Sequence, residues 1–144
     1  MKEYLKNPDE TRASFTPDGW LRSGDLGHKD EEGYVFVTGR LKELIIKGGE
    51  NIAPREVDEA LYAHADVVEA AAFAQPCTTY GERVVAAVTL CADSSVTAPD
   101  LIDICTRRLG AFKAPDTVYI LEDLPKGPSG KIQRKKLADM MSST

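Results

Sequence analysis

The sequence lacks several features that would place it in a specialised class of protein. None of its apolar runs approaches the roughly 20 residues of a membrane-spanning helix, so no membrane span is predicted. Its 18 basic residues are outnumbered by 23 acidic ones. The resulting net charge of −5 argues against a nucleic-acid-binding domain, because such domains are usually basic.

Cysteine is scarce and shows no pairing pattern. Cys77, Cys91 and Cys105 are odd in number and contain no CxxC pair, so they indicate neither a zinc site nor a disulfide framework. We expect free thiols, packed mostly as small apolar side chains in a reducing compartment. Residues 1–8 have no apolar segment like that of a signal peptide, and residues 142–144 match no retention or peroxisomal signal. These absences predict a cytoplasmic protein.

The order of predicted elements indicates an α+β fold. Residues 1–32 are polar and rich in turns, with few apolar anchors, so we expect them to form the edge of something larger. From residue 34 the order is β-β-α-β-β-α-β-α, which predicts a small mixed β-sheet flanked by helices. Strands are expected at 34–38, 41–47, 67–74, 84–90 and 118–121, and helices beginning near Pro54, Ala98 and Lys131.

The loop 127–131, Gly-Pro-Ser-Gly-Lys, invites comparison with a phosphate-binding loop. It is not a P-loop, because Pro125 stands where that motif needs glycine and Ile132 where it needs serine or threonine. Five basic residues fall in this region without an acid among them: Lys126, Lys131, Arg134, Lys135 and Lys136. Composition alone leaves two interpretations open, a solvated basic helix or an anion-handling site.

Other polar features favour structural roles when each is considered alone. The Gly48-Gly49-Glu50 segment is typical of an exposed turn that connects a hairpin to a helix. Asp25 is typical of a turn former, and His28 and His64 are expected at the surface or at an edge.

Considered together, these weak signals occur in a familiar order. The chain resembles the AMP-forming family of acyl-CoA synthetases, luciferases and peptide-synthetase adenylation domains. The motifs that carry this resemblance are distributed along most of the chain: residues 20–27, 39–45 and 48–58, the triplet 80–82 and the lysine motif 125–134. Enzymes of this family first join a carboxylic acid to AMP from ATP and then transfer the acyl group to the thiol of CoA.

The resemblance implies a division of the chain. Residues 1–41 would be the terminal segment of a large N-terminal adenylating domain, ending in a β-hairpin, and residues 42–144 a small mobile C-terminal domain. The expected partners are that adenylating domain, a carboxylic acid and CoA. Mg²⁺ would accompany ATP and be bound mainly by the N-terminal domain, with no metal ligand in this chain. Because the phosphate loop and acyl pocket of the family are missing from the sequence, we expect the isolated chain to be inactive.

Site residues follow from the resemblance position by position. Lys131 would be the lysine of adenylate formation, acting between the carboxylate and the α-phosphate. Asp25 would accept hydrogen bonds from the ribose hydroxyls, Arg40 would lie beside it, and Asn51 would contact the adenylate.

Two further regions receive roles in the same way. The loop 48–50, Gly-Gly-Glu, would face CoA, and Lys42 would be the hinge between the domains. Some relatives carry a catalytic lysine where this sequence has Ile46, and Lys47 is out of register by one. Two alternatives stay open: an adenylation domain that loads a carrier-protein thiol, and a freestanding binding module without catalysis.

Overall fold

The computed structural model describes residues 1–142 and divides the chain into two compact units, Met1–Lys42 and a second unit that begins at Glu43. The predicted boundary after residue 41 concerns domain identity and stays a prediction. Among the described residues, no helix is long and apolar enough to cross a membrane.

The first unit contains one short helix and a β-hairpin: α1 Pro8–Ala13, β1 Asp25–Lys29 and β2 Val35–Arg40. Helix α1 starts where it does because the Asn7 side chain accepts a hydrogen bond from the amide of Glu10, with proline in the first turn. Helix α1 was not predicted. The hairpin agrees with the one that the resemblance implies at the end of residues 1–41, but the residue pattern did not locate its first strand, β1, because the turn-rich composition of this stretch hides it. The hairpin is antiparallel, and its register shifts between Leu26 and Gly27.

The second unit is an α+β domain, as the sequence predicts. Its elements are β3 Ile45–Lys47, β4 Glu50–Ile52, α2 Pro54–Leu61, β5 Val67–Cys77, β6 Gly81–Leu90, α3 Ala98–Leu109, β7 Thr117–Ile120 and α4 Arg134–Ser142. The strands lie in the order β4-β3-β6-β5, and β7 joins the β6 edge in parallel while the other pairs are antiparallel. The expected small mixed sheet is therefore confirmed.

Several element boundaries were predicted wrongly. The strand expected at 41–47 begins only at Ile45, because Leu41–Glu43 form a 3-10 turn. The strands expected at 67–74 and 84–90 are longer, Val67–Cys77 and Gly81–Leu90.

Residues 47–51 were expected to form a loop, but Glu50 and Asn51 belong to strand β4, because the two glycines before them fold the chain back onto β3. The last helix begins at Arg134 instead of Lys131, because Lys126 pairs with Ile132 as a β-bridge and holds the chain in a tight loop until then.

The sheet is covered on both faces, which explains why the central strands read as continuous apolar runs. On one face α2 and α3 pack over a core that includes Ala70, Ala72, Val84, Ala86, Val88 and Leu101. On the other face α4 packs over a smaller core of Ala71, Phe73, Val85, Ala87, Leu124 and Leu137.

All three cysteines are free thiols, as expected, but only one of them is fully packed. Cys105 is buried, and burial raises the pKa of its thiol to about 11. Cys77 is partly buried and Cys91 is exposed, so the expectation of mostly packed thiols is wrong. Cys91 follows directly after β6, where the chain leaves the sheet.

Candidate functional site

Asp25 and Arg40 are brought together by the hairpin of the first unit. They face each other as partners in the β1–β2 register, and Arg40 Nε lies 3.2 Å from Asp25 Oδ1. Both side chains reach solvent, with 32% of Asp25 and 61% of Arg40 exposed. An aspartate fixed beside a guanidinium on paired strands presents a hydrogen-bond acceptor and a cation in one place.

Lys131 lies at the base of a closed loop in the second unit. The amide of Gly127 donates to the Lys131 carbonyl at 2.8 Å, and the amide of Gly130 donates to the Gly127 carbonyl at 2.9 Å. Gly130 has a φ of +77°, which favours glycine at this turn. Within residues 1–142 the Lys131 side chain is exposed and has neither an ion pair nor a hydrogen bond. The loop therefore holds its backbone while leaving the ammonium group available to an anion.

The basic run 126–136 divides into different environments. Lys126 Nζ lies 2.6 Å from Asp123 Oδ1 and 2.9 Å from Glu69 Oε2, and these two partners raise the pKa of Lys126. Lys135 and Lys136 are exposed on α4, as a solvated helix predicts. The run is thus not a uniform basic helix: Lys126 is paired, Lys135 and Lys136 are solvated, and Lys131 is left available to an anion.

Arg134 is held inside the second unit by several acceptors. Its Nη2 lies 2.6 Å from Asp58 Oδ2, and its Nη1 donates to the Ala72 carbonyl at 2.8 Å and to Asp58 Oδ1 at 3.2 Å. Its Nε reaches Glu43 Oε2 at 3.3 Å. Burial raises the pKa of Asp58 against the opposing effect of Arg134. Burial also lowers the pKa of Arg134, but the hydrogen bonds that Arg134 donates to Asp58 and Glu43, together with the charges of these two carboxylates, outweigh burial and raise it. Arg134 therefore joins α4 to α2, β5 and the first residue of the unit.

The glycine segment forms a two-residue turn between β3 and β4. Lys47 and Glu50 are paired across it, and Gly48 and Gly49 have φ values of +58° and +87°. Positive φ at both central residues is the requirement of a type I′ hairpin turn, which glycine meets without strain. The segment is therefore the turn of a hairpin, and Glu50 and Asn51 belong to strand β4 rather than to a connecting loop.

Three predicted site residues lie exposed near these features. Asn51 is in β4 opposite Ile46, and Glu50 precedes it. Lys42 lies in a single 3-10 turn, Leu41–Glu43, where the two units meet along the chain. His28 is exposed and His64 is partly buried, in keeping with surface or edge positions.

A set of residues that sequence reasoning did not connect lies beside the glycine turn. We name Lys47, Tyr80, Phe112 and Asp116 the Lys47 cluster. Lys47 Nζ is 3.3 Å from Asp116 Oδ1 and lies over both rings, 5.3 Å from the centroid of Phe112 and 5.8 Å from that of Tyr80. Of the Lys47 cluster, only Tyr80 lies in a motif that could be recognised in the sequence, Tyr80-Gly81-Glu82. No local pattern connects Lys47 with Phe112 and Asp116, which lie more than 60 positions away.

The described residues, 1–142, bring together no group of three His, Cys, Asp or Glu side chains that could hold a metal ion. The prediction that Mg²⁺ is bound mainly elsewhere stays a prediction.

Comparison with known proteins places this geometry in a family. Residues 56–131 match the AMP-binding enzyme C-terminal domain. The chain is 52% identical over 142 residues to sulfoacetate–CoA ligase from Cupriavidus necator, covering 95% of this chain and 27% of that enzyme. It is 44% identical over 137 residues to oxalate–CoA ligase from Arabidopsis thaliana, covering 95% of this chain and 26% of that enzyme.

A solved structure shows the same fold. The crystal structure of ATP-bound MatB from Rhodopseudomonas palustris matches with a TM-score of 0.91 at 34% identity, covering 96% of this chain and 28% of that one. The chain thus spans about a quarter of the length of the relatives that it matches. Motifs, fold and relatives agree, and the chain belongs to the family of AMP-binding enzyme C-terminal domains, the C-terminal domain of AMP-forming acyl-CoA synthetases.

Proposed function

We propose that this chain acts as the C-terminal part of an ATP-dependent, AMP-forming carboxylate–CoA ligase, joined to an N-terminal adenylating domain. The observation that carries the proposal is Lys131, whose exposed ammonium stands without a partner among residues 1–142, on a loop closed by its own backbone hydrogen bonds. A cation fixed in this way suits a reaction in which negative groups must be brought together.

The proposed reaction has two steps. In the first, a carboxylate oxygen attacks the α-phosphorus of ATP, and the bond to the β-phosphate oxygen breaks to release pyrophosphate and leave an acyl-adenylate. The Lys131 ammonium would lie between the carboxylate and the α-phosphate and stabilise the charge that shifts between them. Loss of one such preorganised donor typically costs about 2.7–4 kcal/mol, or roughly 10²–10³ in rate.

In the second step the thiol of CoA displaces AMP from the acyl group. The Gly48-Gly49-Glu50 turn would face the pantetheine arm, because its two glycines carry no side chain and let a slender ligand pass close to their backbone. Ile46 occupies the position where some relatives carry a lysine, so no ammonium from this position is assigned to thioester formation.

Nucleotide contacts are assigned to the remaining site residues. Asp25 would accept hydrogen bonds from the ribose hydroxyls, and its partner Arg40 would supply a fixed cation beside it. Asn51 would contact the adenylate, and Lys42 would be the hinge that absorbs the change of backbone angles between the two steps. Mg²⁺, bound with ATP mainly by the N-terminal domain, would neutralise phosphate charge.

CoA is favoured as the thiol because the relatives described above are named CoA ligases. Those relatives are named for sulfoacetate and for oxalate, and the proposal for this chain extends only to a carboxylic acid. A carrier-protein thiol and a freestanding binding module are the alternatives that the experiment must separate.

The test is a domain exchange. The C-terminal 27% of the Cupriavidus necator ligase, the part matched here, is replaced by this chain, and sulfoacetate-dependent AMP formation is measured with CoA and with a phosphopantetheine carrier protein. The same ligase truncated without replacement is the control and should be inactive. The proposal is supported if the exchanged enzyme forms AMP in a CoA-dependent reaction and the truncated ligase does not. A folded exchanged enzyme that uses only the carrier protein, or neither thiol, contradicts it.

A further inference from the structure

Lys47 is a charged residue in a place where an apolar one would fit. Its side chain is 5% exposed, and its ammonium lies against Asp116 and the rings of Phe112 and Tyr80. Burying an ammonium group costs free energy unless it is paired, and a residue such as methionine would fill similar space without that cost. The choice of a lysine here therefore requires a reason beyond packing.

The position of the Lys47 cluster suggests that reason. Two strands pair with the same edge of β6 at different positions along it. Gly81 pairs with Lys47 of β3, and residues 85–88 pair with β7. The segment that leads into β7 therefore lies beside the end of β3. The amide of Asp116 donates to the Val84 carbonyl at 2.9 Å, which fixes the backbone of Asp116 next to Lys47.

The cluster also holds the first glycine of the turn. The amide of Gly48 donates to the Tyr80 carbonyl at 2.9 Å. A Cβ on Gly48 would lie 3.3 Å from Tyr80 Cδ1 and 3.7 Å from Phe112 Cζ, whereas a Cβ on Gly49 would meet nothing within 4 Å. The two glycines therefore differ: Gly48 lies against the aromatic pair, and Gly49 is open.

We propose that Lys47 is a positioning residue for thiol transfer. Its ion pair with Asp116 and its contacts with the two rings hold Gly48 in place, so that Gly49 and Glu50 are presented to the pantetheine arm of CoA in a fixed geometry. This inference rests on the proposed function of the turn. Lys47 acts through the turn and not on the reacting atoms, since its side chain is almost wholly covered.

The expected size of the effect follows from the distance dependence of such reactions. A misplacement of about 1 Å far from the chemistry can cost up to about 10²-fold in rate. Because a partly released turn retains its β3–β4 pairing, we expect a smaller loss, about tenfold in kcat/KM for CoA.

The experiment uses the exchanged enzyme described above with Lys47→Met and Asp116→Asn, separately and together. Thioester formation from preformed acyl-adenylate and adenylate formation from ATP are measured separately. We expect kcat/KM for CoA to fall about tenfold in each single variant, adenylate formation to be unchanged, and the double variant to be no worse than the poorer single one. The control is Arg107→Met, which removes a charge from an exposed ion pair with Asp103 and should change neither step.

An unchanged kcat/KM for CoA in Lys47→Met overturns the inference, and so does an equal fall in both steps, which would mark a general loss of structure. If Lys47→Met fails to fold, Asp116→Asn carries the test, because it removes only the charge partner of the lysine.

Hydrogen exchange on the 144-residue chain gives a readout that does not depend on activity. The Gly48 amide should exchange faster in Lys47→Met than in the unmodified chain, while amides of α3 keep their rates. Equal Gly48 exchange in both chains overturns the inference. If instead the domain-exchanged enzyme with unmodified Lys47 forms no acyl-CoA, the proposed function fails. The hydrogen-exchange measurement on the 144-residue chain then still decides whether Lys47 holds the turn.

Discussion

Replacing Arg134 by methionine should destabilise the second unit by an amount that depends on pH. The methionine keeps much of the aliphatic length but leaves the Asp58 carboxylate, whose side chain is 9% exposed, without its cationic partner. Removing one partner of a buried ion pair typically costs about 3–5 kcal/mol. Because the Arg134 side chain is itself 23% exposed and water can partly replace it, we expect the lower end, about 3 kcal/mol at pH 7. For a domain of this size that corresponds to a fall in Tm of about 12–24 °C.

The pH dependence follows from the pKa of Asp58. Burial raises this pKa above its ordinary value of 3.8, so the folded chain binds the proton more tightly than the unfolded chain does. The stability contributed by this group is therefore fully present below 3.8 and is lost as the pH rises through the folded pKa. Arg134 opposes the rise, so its removal raises the pKa of Asp58 further and extends the loss to higher pH. The Arg134→Met variant should lose more stability at pH 7 than at about pH 4.

Urea unfolding of the 144-residue chain, followed by circular dichroism at the helix band, measures this effect at both pH values. Arg107→Met is the matched control, because its ion pair is exposed and should contribute little. The double variant Arg134→Met with Asp58→Asn should recover part of the loss at pH 7, since no charge is then left buried. A loss in Arg134→Met that is the same at both pH values, or no larger than that of the control, would refute the reasoning.

Two further predictions concern local structure. Asp100 accepts hydrogen bonds from Thr97 at the start of α3, and these hold the pKa of Asp100 below 3.8. Asp100→Asn should therefore lower the urea midpoint at pH 7, and the difference from the unmodified chain should disappear as the pH falls through that lowered pKa; a constant difference contradicts this. Gly27→Ala should disrupt the β1–β2 hairpin, because the new Cβ would collide with the Phe36 carbonyl oxygen. Amides of β1 should then exchange faster with solvent hydrogen. Unchanged protection would contradict this and show that the hairpin accommodates a side chain where its register shifts.

Much of the fold could be predicted because its signals are local. The apolar residues of β5 and β6 and the capping sequence at Thr97 each act within a few positions, and the structure has a strand or helix at each place. The residue pattern did not locate strand β1 of the expected hairpin, because its five residues, Asp25–Lys29, include only one large apolar side chain and a glycine. Its pairing with β2, a tertiary contact, decides its conformation.

The candidate site could be predicted only in part. The resemblance supplied Asp25 and Arg40, and the hairpin register joins them as partners. The environment of Lys47 could not be predicted, because its contacts with Phe112 and Asp116 depend on how β6 shares its edge between β3 and β7. Likewise, the basic run gave no sign that Arg134 would turn inward to Asp58 while Lys131 stays exposed.

The central claim, that Lys131 serves adenylate formation, is tested most directly by the two half-reactions of Lys131→Ala in the exchanged enzyme. Adenylate formation should fall by about 10²-fold or more, while thioester formation from supplied acyl-adenylate and CoA continues at the rate of the unmodified enzyme. An equal loss of both half-reactions, or adenylate formation that survives the substitution, would contradict the account.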